Sequence, residues 1–199
     1  MTTQPSPAPQ SQRNVIFSML VSLDGYIEGP KRELDWPIID EEFHTFVNER
    51  EAALGTFLYG RRLYELMSEF WPTADQDPTQ PEYIHAYSRI WKEMPKIVFS
   101  KTLDKVDWNA RLASSDLVEE VTRLKAQPGK NISVGGAELA ASLMRLGLID
   151  EYELYIQPIL LGSGTRMFPE LQNRTNLRLI ETRSFGSGVV YLRYQRANV

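Results

Sequence analysis

Three short groups of residues have the types and spacing to hold an anion. Gly135 and Gly136, in NISVGGAELAASLMRLG, join a short apolar run to a helical pattern with no bulky side chain at the junction. Backbone N–H groups and a helix N-terminus can then come against a negatively charged ligand. Arg61 and Arg62 follow Gly60 at a second such junction, in TFLYGRRLYELMSEF. Ser100 and Lys101 follow the apolar run KIVF, pairing a directional hydroxyl with a positive charge. A packing turn for the glycines and a solvated helix start for the arginines are open alternatives. Arginine in a first helical turn opposes the helix dipole, and a bound anion is one compensation. Two basic positions at separate strand ends suit the extra phosphate of NADPH, so together they predict NADPH over NADH.

Other chemistries find less support. Neither GxxxxGK[ST] nor GxGxxG is present, so a nucleotide must bind in another way. His44 and His85 belong to no compact ligand pattern, and no metal site is expected. Asp24 is either a polar anchor for substrate or part of an Asp-Gly turn. Trp36 either flanks a planar substrate or anchors packing. Asp40, Glu41 and Glu42 suit a helix start, and none of them is assigned as a proton donor. The segment Leu160 to Gly164 reads first as a turn and second as a ligand-facing loop. No catalytic residue is named.

These residues need elements to position them. Val15, Ile16 and Phe17 open a buried strand that reaches a turn at Asp24-Gly25. Phe43, Phe46, Val47 and Arg50 give a helix from about Ile38 to Ala52. Thr56 to Tyr59 read as a strand, followed by a helix with Leu63, Leu66, Met67 and Phe70 on one face. A helix carrying Tyr83, Tyr87, Ile90 and Trp91 ends near Pro95, before a strand from Lys96 to Ser100. Leu117, Val121 and Leu124 mark another helix, and NISV another strand. The repeated strand-then-helix order predicts an α/β layer architecture. The last third changes to three strand-like runs, EYELYIQPILLG, LRLIETRSF and GVVYLRYQR, the last two as an antiparallel hairpin.

Composition permits such an enzyme. The chain has 199 residues, enough for one large domain, and 22 Lys and Arg against 26 Asp and Glu give a formal net charge of −4. That balance argues against a nucleic-acid partner. There is no cysteine, which excludes thiolate nucleophiles and disulfides and fits a cytoplasmic location. No stretch reaches the roughly 18 apolar residues of a membrane span, so no membrane partner is expected. Residues 1–13 read as a flexible tail, 14–196 as one domain and 197–199 as the C-terminal end.

VSLDGYIEG, YGRRLYE, VFSKTL, ISVGGAELAASL and QPILLGSGTRMF occur in this order. On them, from about Asn14 to Arg196, the chain resembles the bacterial dihydrofolate reductase-like superfamily, in the branch containing the riboflavin biosynthesis protein reductase C-terminal domain. The resemblance implies a mixed, mostly parallel central β-sheet flanked by helices, with NADPH crossing the carboxyl ends of the central strands. Gly60, Arg61, Arg62, Ser100 and Lys101 would then approach the adenosine phosphate region. Gly135, Gly136, Ala137, Glu138 and Leu139 would bind the pyrophosphate side. Ser18, Val21 and Asp24, with Trp36, would border substrate. The implied reaction is hydride transfer from NADPH to a small heterocycle or sugar-linked pyrimidine such as 5-amino-6-(5-phosphoribosylamino)uracil, in a homodimer. The alternative is a non-catalytic NADPH-binding or other anion-binding sensor. The zinc-binding histidine and cysteine set of the deaminase domain often joined to this branch is absent.

Overall fold

The computed structural model describes residues 12–197. Most of the expected tail, and the last two residues of the chain, lie outside that range. Arg13 does not; it is tied to Thr56 and Lys130 beside the sheet. The elements are β1 (Val15–Ser22), β2 (Tyr26–Glu28), α1 (Glu41–Ala52), β3 (Thr56–Gly60), α2 (Arg61–Phe70), α3 (Glu82–Glu93), β4 (Lys96–Phe99) and β5 (Ala110–Leu112). They continue as α4 (Leu117–Ala126), β6 (Ile132–Gly135), α5 (Ala137–Arg145), β7 (Glu151–Gln157), β8 (Thr165–Arg166), β9 (Leu177–Ser184) and β10 (Val190–Arg196).

Eight strands form one sheet in the order β5-β4-β3-β6-β1-β7-β10-β9. The first six are parallel, and β10 runs antiparallel to both β7 and β9. The fold is therefore the expected mixed, largely parallel α/β sheet with a C-terminal β9-β10 hairpin. Alternation along β1 explains its central place. Val15, Phe17 and Val21 enter one core, which α4 supplies with Val121 and Leu124 and α5 with Leu139 and Leu143. Leu20 points to the other face, where Phe43 and Phe46 of α1 pack with Tyr155, Phe185 and Tyr191. A third cluster joins Phe57 and Tyr59 of β3 to Tyr64, Tyr87 and Trp91.

Three local expectations change. The first helix begins at Glu41, with Asp40 as its cap accepting from the Phe43 N–H at 2.8 Å. The Ile38 N–H is taken by Gln157 Oε1 at 2.9 Å, which holds the preceding stretch outside the helix. On α2 the expected apolar face is shifted, since Tyr64 is buried whereas Leu66 and Phe70 stand exposed. The small antiparallel pair β2-β8 was not expected. It closes at Gly164, where φ is +136° and a Cβ would lie 2.0 Å from the Glu28 carbonyl oxygen. No helix among the described residues is long and apolar enough to cross a membrane.

Candidate functional site

The carboxyl ends of β3, β4 and β6 open into a cleft of about 760 Å³. Gly60, Arg61, Arg62, Ser100, Lys101, Gly136, Ala137, Glu138 and Leu139 all line it. The fold thus brings together residues that lie up to 79 positions apart, from 60 to 139. Two helices begin at its wall: α2, capped by Gly60, and α5, capped by Gly136, neither with a side chain on its first N–H groups. Among the described residues the Ala137, Glu138 and Leu139 N–H groups have no hydrogen-bond acceptor. Gly136 has φ of +89°, a conformation that keeps the chain open at this approach. Gly135 serves differently, because a Cβ there would lie 2.5 Å from Leu63 Cδ2. Its small size makes room for the leucine that packs behind the cleft.

Four cations line the cleft, Arg32, Arg61, Arg62 and Lys101, against two acids, Glu28 and Glu138. Their partners distinguish them. Arg62 forms a double hydrogen bond with Glu28, at 2.9 and 2.5 Å. Glu28 is only 5% exposed and also accepts from Thr165 Oγ1 at 2.7 Å. The Arg62 bond, with Thr165 and the arginine charge beside it, holds the Glu28 carboxyl below its ordinary range. Arg61 reaches across the mouth, donating to Thr102 Oγ1 at 2.9 Å, with Glu65 at 3.5 Å. Ser100 Oγ accepts from the Thr102 and Leu103 N–H groups and so keeps its own proton to donate. Lys101 is exposed and has no ion-pair partner among the described residues. Arg61 and Lys101 are therefore more available to a phosphate than Arg62.

The four residues expected at substrate are dispersed. Val21 is 3% exposed within the core, whereas Ser18 lies on the opposite face of β1 beside Leu20. Asp24 accepts from Ser22 Oγ at 2.7 Å and from the Leu161 and Gly162 N–H groups at 3.1 and 2.7 Å. Those bonds fasten the turn to the glycine loop and lower the Asp24 pKa. Trp36 donates to the Glu33 carbonyl at 3.2 Å and does not line the cleft. Glu42 is bound by Arg183 and by the Gly186 N–H. The cleft wall nearest β1 is built instead from Met19, Ile27, Glu28, Leu34 and Thr165. Met19 shares the alternation of Phe17 and Val21, which was a usable signal. Glu28 and Thr165 meet only through the short β2-β8 ladder, for which the sequence has no pattern.

On α1 lies a second polar set, in which His44 and Asn48 are buried and Glu51 is half-buried. His44, Asn48 and Glu51 follow one stripe of that helix. Burial lowers the His44 pKa, and its ring lies among Trp71, Tyr83 and Tyr87. Burial and then the charge of Glu153 push Glu51 up to about 8. His85 sits apart, with its Nε2 2.9 Å from the Asp77 carbonyl. No group of three or more His, Cys, Asp or Glu among the described residues is arranged to hold a metal.

Comparison with known proteins follows the same outline. A family model described as the RibD C-terminal domain matches residues 13–191. The Bacillus subtilis (strain 168) protein YyaP is 38% identical over 189 residues, covering 92% of this chain and 95% of that protein. Among solved structures, a putative riboflavin biosynthesis protein from Shewanella sp. PV-4 superposes with a TM-score of 0.69 at 23% identity, covering 94% of this chain and 99% of the other. Dihydrofolate reductase from Enterococcus faecalis, complexed with NADP(H) and RAB-propyl, gives 0.63 at 15% identity over 94% and 98% of the chains. A Thermotoga maritima diaminohydroxyphosphoribosylaminopyrimidine deaminase/5-amino-6-(5-phosphoribosylamino)uracil reductase gives 0.64 at 14%, over 94% of this chain and 57% of that one. These structural likenesses show a shared fold.

Proposed function

Because the chain belongs to the RibD C-terminal domain family, we propose that it is an NADPH-dependent reductase acting on a small heterocyclic or sugar-linked pyrimidine substrate, of which 5-amino-6-(5-phosphoribosylamino)uracil is the model. The observation that carries the reading is the single cleft at the carboxyl ends of β3, β4 and β6, with two helix N-termini and an excess of positive charge in its lining. The open N–H groups of Ala137, Glu138 and Leu139 fit a pyrophosphate. Arg61, Lys101 and the Ser100 hydroxyl fit a further phosphate. NADPH supplies hydride when bound. The protein's own work is to orient it: Gly136 lets the backbone approach, Leu63 and Leu139 back the cleft, and Arg62 with Glu28 fixes the wall against β2.

The test is the rate of NADPH oxidation by the purified chain with reductase substrates, with product followed separately. Coupled oxidation and product formation are expected. Stable NADPH binding without turnover across the substrate class would favour the sensor reading.

We propose a homodimer as well. On the side of the sheet that carries Tyr152 and Tyr194, β9 ends the sheet with Leu179 and Leu177 46% and 39% exposed. Such an apolar edge suits a second copy of the chain.

A further inference from the structure

Buried cations normally have an acid beside them, because an unpaired charge held away from water is costly. Arg13 departs from this. It is 6% exposed, yet among the described residues its guanidinium bonds only neutral oxygens: Nε donates to the Lys130 carbonyl at 2.5 Å and Nη2 to Thr56 Oγ1 at 2.7 Å. No carboxylate among the described residues pairs with it, and residues 1–12 contain neither Asp nor Glu. Burial lowers its pKa with no compensating acid. Among the described residues its remaining nitrogen, Nη1, has no hydrogen-bond partner, and it is not one of the sealed, unpartnered atoms.

A pocket of about 340 Å³ adjoins this group, at the amino ends of β3, β4 and β5. Thr56, Ala110, Arg111 and Gln127 line it over an apolar floor of Ile97 and Leu124. The lining contains Arg13, Lys96 and Arg111 and no acid, in a chain whose net charge is −4. Lys96 turns its ammonium to the Met94 and Trp108 carbonyls, and Arg111 leans on Glu120. Arg13 is therefore the cation left to face the pocket. A planar guanidinium with a free edge recognises oxyanions through paired N–H groups.

We propose that this pocket is a second ligand site, one that takes an oxyanion, phosphate or carboxylate, on Arg13. It stands at the opposite end of β3 and β4 from the cofactor cleft and does not depend on the reductase reading.

Amide correlation spectra of the full chain, titrated with inorganic phosphate and separately with acetate against sodium chloride of equal ionic strength, test it. Saturating shifts are expected at Thr56, Ile97, Ala110 and Gln127, and the anion that saturates first identifies the headgroup. Arg13→Gln should weaken that response about tenfold. Since Arg13 also ties Thr56 to Lys130, Ala110→Trp gives an independent check: filling the pocket should abolish the response while the fold persists. Shifts confined to Gly60, Ser100 and Gly136, no shifts at all, or pocket shifts that survive Ala110→Trp would overturn the proposal.

Discussion

Arg62 and its neighbours Arg61 and Lys101 carry the same charge but different obligations. Arg61→Ala and Lys101→Ala should each weaken NADPH about tenfold and leave NADH nearly unchanged, because each removes a group open to the extra phosphate. Arg62→Ala should behave otherwise. It strands the buried Glu28 carboxylate, so unfolding calorimetry should register a loss of about 1–3 kcal/mol, with NADPH and NADH weakened alike. A selective NADPH loss at full stability would contradict that. Glu120 gives a pH prediction. Burial opposes its ionisation, but hydrogen bonds from Arg111 and Arg123 outweigh this and hold it at about 2, against 4.5 for the free side chain. Its contribution is therefore present above pH 4.5 and lost as pH falls toward 2. Urea unfolding between pH 6 and pH 3 should show a smaller decline for Glu120→Gln than for the native chain.

At the level of elements, the strand-to-helix junctions decide whether a ligand can approach. Gly136→Val places a β-branched side chain at φ of +89°, where the backbone is strained although the Cβ would meet Leu63 only at ordinary contact distance, 3.6 Å. It should cost about 1–3 kcal/mol of stability and abolish cofactor binding. Unimpaired binding in a folded variant would remove Gly136 from the site. These junctions were legible in the sequence because a buried parallel strand is a continuous apolar run, and a glycine after it marks the turn. The spacing of Phe43, Phe46, Val47 and Arg50 does not fix where α1 starts, because the Gln157 bond that excludes Ile38 comes from 119 positions away. β2 and β8 lack enough residues for a two-residue period to show. The positions proposed for the cofactor follow from local junction chemistry, whereas the β1 wall depends on which face each residue takes. Ser18 and Val21, three apart on β1, point to opposite faces of the sheet.

The whole molecule divides into a parallel half, whose carboxyl ends form the cleft, and an antiparallel margin ending at β9. Leu179→Asp should convert a dimer to a monomer in light-scattering chromatography with the fold retained, and a monomeric native chain would contradict the assigned edge. Calorimetric titration of the cofactor-free chain with NADPH, with NADH as the matched comparison, tests the proposed role of the cleft most directly. Saturable binding that prefers NADPH is the predicted result; no binding to either, in a chain verified as folded, would contradict the reductase assignment.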